Sequence, residues 1–243
     1  MIGRLVLSLM LLAAVDNVPA QSVSPAQSVV TRPGTYELTQ PGSERRYTLV
    51  IPRGYGNRDS VPLVMALHFG GPPTPFIGRS LIEQLVGPAL ISLGAIIVAP
   101  DNAAAGWSNP TAEQHVIELL AFIEANYNVD PARTLLTGYS MGGAGTWYLA
   151  ERHPELFEAA VPMAGRIQSA SIGEDWRTPT YAINSAADEL IAIEPVRAAV
   201  DSLRARGAPV EIVVIDDVTH FQLPRYRRYL RSAIPWVEQA WDQ

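Results

Sequence analysis

Thr134-Leu135-Leu136-Thr137-Gly138-Tyr139-Ser140-Met141-Gly142 is the stretch on which the reading of this chain turns. An apolar run ends in Gly-x-Ser-x-Gly and passes straight into a helix-like segment. That is the strand, sharp turn and helix in which a serine is pushed outward as a nucleophile. A turn this tight leaves no room for a side chain at Gly138 or Gly142, and it holds Ser140 in a strained, exposed position. Glycine and serine are common residues. The pattern therefore gains meaning only if the chain also supplies a base, an acid and oxyanion donors in a workable order.

The chain has four histidines, so the search for the base is short. His153 lies in Glu151-Arg152-His153-Pro154 at the end of the helix after Ser140 and reads as a helix-terminus residue. His115 stands on the polar start of a helix and reads as a surface residue. His68 closes a strand ahead of Phe69-Gly70-Gly71. His220 follows the strand Val210–Ile215 after Asp216-Asp217-Val218-Thr219, a late strand-end loop of the kind that presents a base. Only His220 fits. The chain order nucleophile, acid, base confines the carboxylate to residues 141–219. Asp188, in Ser185-Ala186-Ala187-Asp188-Glu189, follows the strand Thr180–Asn184 and lies beside the strand that delivers His220. Glu189 is the second candidate. Asp175 reads as a surface residue, and Asp216 and Asp217 are too near His220 in sequence to reach its ring easily. The carboxylate would hold the imidazole tautomer and stabilise the imidazolium.

Oxyanion stabilisation requires backbone N–H groups where negative charge develops. Met141, just after the nucleophile and at a helix N-terminus, supplies one donor. The loop His68-Phe69-Gly70-Gly71, placed after the third strand, supplies the second at Gly70.

Around this centre the chain alternates. Strands are expected at Arg46–Ile51, Leu63–His68, Ala95–Ala99, Thr134–Tyr139, Ala159–Met163, Thr180–Asn184 and Val210–Ile215. Helices are expected at Ile77–Leu93, Thr111–Tyr127, Met141–Arg152, Glu194–Arg206 and Tyr226–Trp241. Several strands are continuously apolar, which fits parallel strands covered on both faces. Asp130-Pro131 reads as a turn before the nucleophile strand. The expected architecture is an α/β fold with a mostly parallel, doubly wound sheet and helices on both faces.

With 243 residues, 48% of them hydrophobic and 17% charged, the chain can bury one substantial core, and disorder is excluded. All 18 basic residues are arginine, the net charge is −6, and only Arg225, Arg227, Arg228 and Arg231 cluster, on what reads as a solvated helix face. No nucleic-acid footprint results. Cysteine is absent, which excludes disulfides and thiolate metal sites. Arg4, the apolar run Leu5–Val15 and Val18-Pro19-Ala20 have the layout of a cleavable signal peptide over residues 1–20. The run is too short to span a bilayer, so no stable membrane insertion is expected. Residues 21–34 read as a flexible lead-in and 35–243 as the catalytic domain, exported to a secreted or periplasmic location.

These residues together resemble the α/β-hydrolase superfamily. More narrowly, the chain is similar to small carboxylesterases, dienelactone-hydrolase-like proteins and secreted esterases of the feruloyl-esterase or polyhydroxybutyrate-depolymerase type. The resemblance runs through Arg46–Pro52, Leu67–Gly71, Val129–Arg133, Gly138–Gly143, Arg152–Phe157, Asp188 and His220, and covers about residues 35–240. It carries Ser140, Asp188 and His220 over as a triad, and Gly70 with Met141 as oxyanion donors. Phe69 stands where such proteins commonly have glycine, Asn184-Ser185 replaces a common His-Gly, and Thr219 replaces a frequent glycine.

The implied activity is hydrolysis of a carboxylic ester through an acyl-enzyme on Ser140, with a small-molecule or polymer-linked ester as substrate and no metal or organic cofactor. Residues 164–179 leave room for a short loop only, so no large cap domain is expected. Phe69 and Trp107 are candidates for lining the substrate pocket, with core packing the alternative for Trp107. Two other readings stand beside this one: a serine peptidase of the prolyl-oligopeptidase type, and a catalytically silent hydrolase fold acting as a binding module.

Overall fold

The computed structural model describes residues 29–102, 105–168 and 175–242, so the signal-peptide reading of residues 1–20 lies outside the described residues. Eight strands form one sheet: β1 (Gly34–Thr39), β2 (Arg46–Ile51), β3 (Val61–Leu67), β4 (Ile96–Pro100), β5 (Val129–Tyr139), β6 (Ala159–Met163), β7 (Thr180–Ser185) and β8 (Val210–Ile215). Their order across the sheet is β1-β2-β4-β3-β5-β6-β7-β8. The pairs β1–β2 and β2–β4 are antiparallel, and every pair from β4 to β8 is parallel. The helices are α1 (Ile77–Leu81), α2 (Gly87–Leu90), α3 (Pro110–Asn126), α4 (Met141–Arg152), α5 (Ile193–Ala205), α6 (Arg227–Ser232) and α7 (Ile234–Trp241).

The sheet is covered on both sides because its central strands are apolar on both sides. Along β3, Leu63, Met65 and Leu67 enter one core, with α3, α4 and α5. Val64 and Ala66 enter the other, with α1, α2, α6 and α7. The period of two that sends neighbouring side chains to opposite faces explains why this strand shows no alternation in its sequence. Fully burying each such aliphatic side chain is worth about 1.5–3 kcal/mol, and every residue of β3 is buried. No large cap interrupts the sheet among the described residues.

Several expectations need correction. β1 is an additional edge strand: its exposed, mixed-polarity residues carry no continuous apolar signal. The helix expected over residues 77–93 is broken by a π-helical turn at Ile82–Val86, just before Pro88, whose ring nitrogen has no hydrogen to donate to the preceding turn. The last helix is likewise split into α6 and α7, with Pro235 at the start of α7. Asp130-Pro131 falls within β5 rather than before it. Val61 pairs with Val129 and Leu63 with Thr134, so residues 130–133 bulge out of the ladder, with Asp130 Oδ1 accepting the Ala132 N–H at 3.1 Å. Arg225, Arg228 and Arg231 of the arginine cluster are exposed, as expected, and Arg227 is half-buried, but the cluster also fastens the last helices down. Arg225 and Arg228 pair with Asp217, and an Arg231 guanidinium N–H donates to the Pro88 carbonyl at 2.8 Å.

His115 is buried, with 6% of its surface exposed, rather than a surface residue of α3. Desolvation, and secondarily the Arg45 guanidinium, push its pKa down to about 4. The folded protein keeps this ring neutral while the unfolded chain protonates it near its ordinary 6.5. Stability should therefore fall as pH drops through the window between those two values. His115→Gln, which cannot take the proton, is expected to flatten part of that decline. Thermal unfolding of both proteins between about pH 7 and about pH 4 measures it; parallel curves would refute the assignment.

Candidate active site

The ends of β3, β4, β5, β7 and β8 point the same way, and the residues singled out in the sequence gather at that edge. β5 turns into α4 through Ser140, which adopts φ 57° and ψ −112°, a conformation that L-residues avoid. Two glycines make the turn possible. A Cβ on Gly142 would lie 1.9 Å from the Leu67 carbonyl oxygen, and one on Gly138 would lie 2.3 Å from the Gly142 oxygen. The first turn of α4 is thus pressed against the end of β3.

Ser140 Oγ lies 2.7 Å from His220 Nε2, and His220 Nδ1 lies 2.8 Å from Asp188 Oδ2. A carboxylate only accepts, so Nδ1 carries the proton, and the Nε2 lone pair is left to accept the serine O–H. Asp188 is held in turn, since its Oδ1 accepts the backbone N–H groups of Leu190 and Ile191 at 2.9 and 2.8 Å. The side chain of Asp188 is fully shielded from solvent and that of His220 nearly so. All three residues selected from the sequence meet here.

Glu189, the second candidate for the acid, makes a different contact. Its Oε2 accepts the His220 backbone N–H at 2.9 Å, and that bond holds the Glu189 carboxyl below its usual range. On the other side the buried Tyr139 hydroxyl donates to the His220 carbonyl at 2.6 Å. Burial raises the Tyr139 hydroxyl far above its ordinary range, so it remains a donor. The ring and both backbone groups of His220 are therefore fixed. Tyr139 is the first of the two variable positions inside Gly-x-Ser-x-Gly, and nothing in the sequence pattern marks it for this contact.

On the β3 side, Gly70 faces the start of α4, where a Cβ on Gly70 would stand 3.6 Å from Met141 Sδ. Met141 is the first residue of α4, so its N–H has no intrahelical acceptor. The loop is braced by His68, whose Nε2 accepts the Asn102 N–H at 3.1 Å while Nδ1 donates to the Phe69 carbonyl at 2.7 Å. Desolvation lowers the His68 pKa despite the Phe69 carbonyl and Asp101, which favours the neutral ring that this pattern requires. Trp107 is core, 1% exposed, with its indole N–H donating to the His68 carbonyl at 2.9 Å. It packs in the core beneath the loop and supports it. Phe69 is half-buried against the core on the opposite face of the sheet, and it is not among the residues lining the cavity next to the elbow. His153, at the end of α4, lies 2.7 Å from Glu113 and away from the site.

A strained serine, a base in the accepting tautomer, a shielded carboxylate and helix-start N–H groups make a site for nucleophilic acyl transfer. The sequence model of a family described as "Putative esterase" matches residues 39–189, which include the elbow and Asp188. The chain belongs to this esterase family.

Relatives of this esterase-family chain include the "Probable feruloyl esterase C" of Aspergillus terreus, 29% identical over 154 residues, covering 62% of this chain and 57% of that protein. The "Feruloyl esterase C" of Emericella nidulans is 31% identical over 133 residues, covering 53% of this chain and 49% of that protein. The match thus spans about half the length of these curated relatives. Among solved structures, a thermostable esterase aligns with TM-score 0.68 at 22% identity, over 84% of this chain and 62% of that one. A ferulic acid esterase aligns with TM-score 0.66 at 20% identity, over 85% and 97%. At these identities the structural likeness establishes the α/β-hydrolase fold.

Two variants test the local geometry. Gly142→Ala must displace the Leu67 carbonyl and is expected to cost roughly 3 kcal/mol of stability, read by chemical denaturation. Tyr139→Phe leaves the buried His220 carbonyl without its donor and is expected to cost about 1–3 kcal/mol in the same assay.

Proposed function

We propose that this protein is a serine hydrolase of carboxylic esters, with Ser140 as nucleophile, His220 as general base and then acid, and Asp188 as the residue that orients it. The observation that carries the reading is the continuous chain from Ser140 Oγ through His220 to Asp188, at 2.7 and 2.8 Å. His220 would take the serine proton as Oγ attacks the carbonyl carbon. The N–H groups of Met141 and Gly70 would receive the oxyanion. The alcohol leaves with the proton returned by His220, and water activated by the same ring cleaves the acyl-enzyme.

The family membership and the relatives' names support an ester over a peptide as substrate, and they point to aromatic acyl esters of the feruloyl kind as the first class to test. The N-terminal layout of Arg4, Leu5–Val15 and Val18-Pro19-Ala20 supports export. No helix among the described residues is long and apolar enough to cross a membrane.

Ser140→Ala is expected to lower kcat/KM for p-nitrophenyl esters by about 10³-fold or more while the fold persists. A fluorophosphonate should form a single adduct, mapped by mass spectrometry to Ser140. Turnover equal to that of the unaltered protein, or an adduct elsewhere, would overturn the reading.

A further inference from the structure

Phe221 and Leu190 are large apolar side chains that the fold leaves in solvent, 75% and 53% exposed. Single exposed apolar residues are ordinary on a protein surface. These two are not scattered. Phe221 follows His220, and Leu190 stands two residues after Asp188. The bond from the His220 N–H to Glu189 Oε2, at 2.9 Å, ties their two loops together. Among the described residues two other large apolar side chains are exposed, Val29 before β1 and Ile91 after α2.

Phe221 is held in place by its neighbours. Thr219–Gln222 is a turn closed by the Gln222 N–H on the Thr219 carbonyl at 3.1 Å, and Gln222 Oε1 accepts the Thr219 N–H, also at 3.1 Å. Val218 and Leu223, on either side, are buried and anchor the turn, while the Tyr139 hydroxyl holds the His220 carbonyl. The Phe221 ring stands edge-on to the imidazole, with ring centres 5.6 Å apart and planes at 81°. Leu190 is fixed through its backbone N–H, which Asp188 Oδ1 accepts at 2.9 Å. An accessible apolar surface is thus preorganised beside the imidazole.

The reaction decides which half of an ester meets this surface. In the tetrahedral intermediate the oxyanion lies at the Met141 and Gly70 N–H groups, on the β3 side. The leaving oxygen must come within about 3 Å of His220 Nε2 to take its proton. The alcohol half therefore departs past His220, on the side that carries Phe221 and Leu190. We propose that these two residues form an apolar rim that binds the alcohol half of the ester and selects alcohols with an apolar body. The inference rests on the ester-hydrolase reading and deepens it by naming a feature of the leaving group, independent of the acyl group. Contact with the rim is felt in acylation alone, because the alcohol has gone before water cleaves the acyl-enzyme.

The test holds the acyl group constant and compares kcat/KM, which reports the steps through acylation. Methyl and benzyl butanoate release alcohols of nearly equal acidity, so their intrinsic leaving abilities are alike and only the apolar body differs. With the released butanoic acid titrated at constant pH, the unaltered protein should prefer the benzyl ester about tenfold or more, the gain expected from covering part of an aromatic ring. Phe221→Ala should bring that ratio towards one, Leu190→Ala should lower it, and Phe221→Leu, which keeps an apolar side chain, should retain most of it. A ratio is independent of the fraction of folded protein. As a control for the acyl half, the ratio of methyl 3-phenylpropanoate to methyl butanoate should be the same with and without Phe221→Ala. A benzyl-to-methyl ratio near one in the unaltered protein, a preference that survives Phe221→Ala, or a change confined to the acyl ratio would overturn the rim and leave ester hydrolysis standing. Absence of turnover for every ester would overturn both.

Discussion

The rest of the site depends on one close backbone approach, that of the first turn of α4 to the end of β3. With a Cβ on Gly142 only 1.9 Å from the Leu67 carbonyl, the helix can begin there only if that residue has no side chain. Gly143 imposes a similar limit against β6, where its Cβ would stand 2.4 Å from the Met163 carbonyl. The start of α4 is therefore wedged between neighbouring strand ends, and Ser140 absorbs the resulting strain in its backbone. The same wedge brings Met141 against Gly70, so Ser140 and the proposed oxyanion donors are positioned by a single contact.

Around that wedge, His220 is held by three residues. Asp188 orients the ring, Glu189 accepts from the backbone N–H, and Tyr139 donates to the carbonyl. Two of these come from the loop after β7 and one from β5, while His220 itself follows β8. The parallel sheet makes this possible because its strands all deliver their carboxyl ends, and the loops that follow, to one edge. The acid loop has a double role. Asp188 sets the tautomer, and the next residue fixes the chain that carries the ring.

The opposite side of the site is organised by burial. His68 is kept neutral in a dry position, and in that form it can accept from the β4 loop and donate to its own. Trp107 fills the space below it. Asp101 and Arg46 then carry charge at the edge of this packed region, where Asp101 also fixes the left-handed turn at Phe76. The His220–Asp188 pair and the adjoining cavity thus stand on different strands, β7 and β8 for one and β2, β3 and β4 for the other.

Much of this was legible in the primary structure. The elbow, His220 and Asp188 could be found because their chemistry demands particular residue types in a particular chain order. The parallel strands could be found because burial on both faces leaves an unbroken apolar run. β1 escaped because an exposed edge strand carries no such run, and the burial of His115 escaped because a neutral imidazole in a core looks like any polar residue on a helix. Glu189 and Tyr139 act through backbone groups of a residue distant in sequence, and Trp107 reveals itself as a brace only once α4 lies beside it. The amino-acid sequence by itself determined the fold class and singled out the three residues, Ser140, His220 and Asp188, that the fold hydrogen-bonds in series, since local packing rules and bond chemistry point to them. Only the tertiary structure decided what surrounds those residues, because a clamped His220 carbonyl or the close approach of Gly142 to Leu67 depends on which distant strands become neighbours.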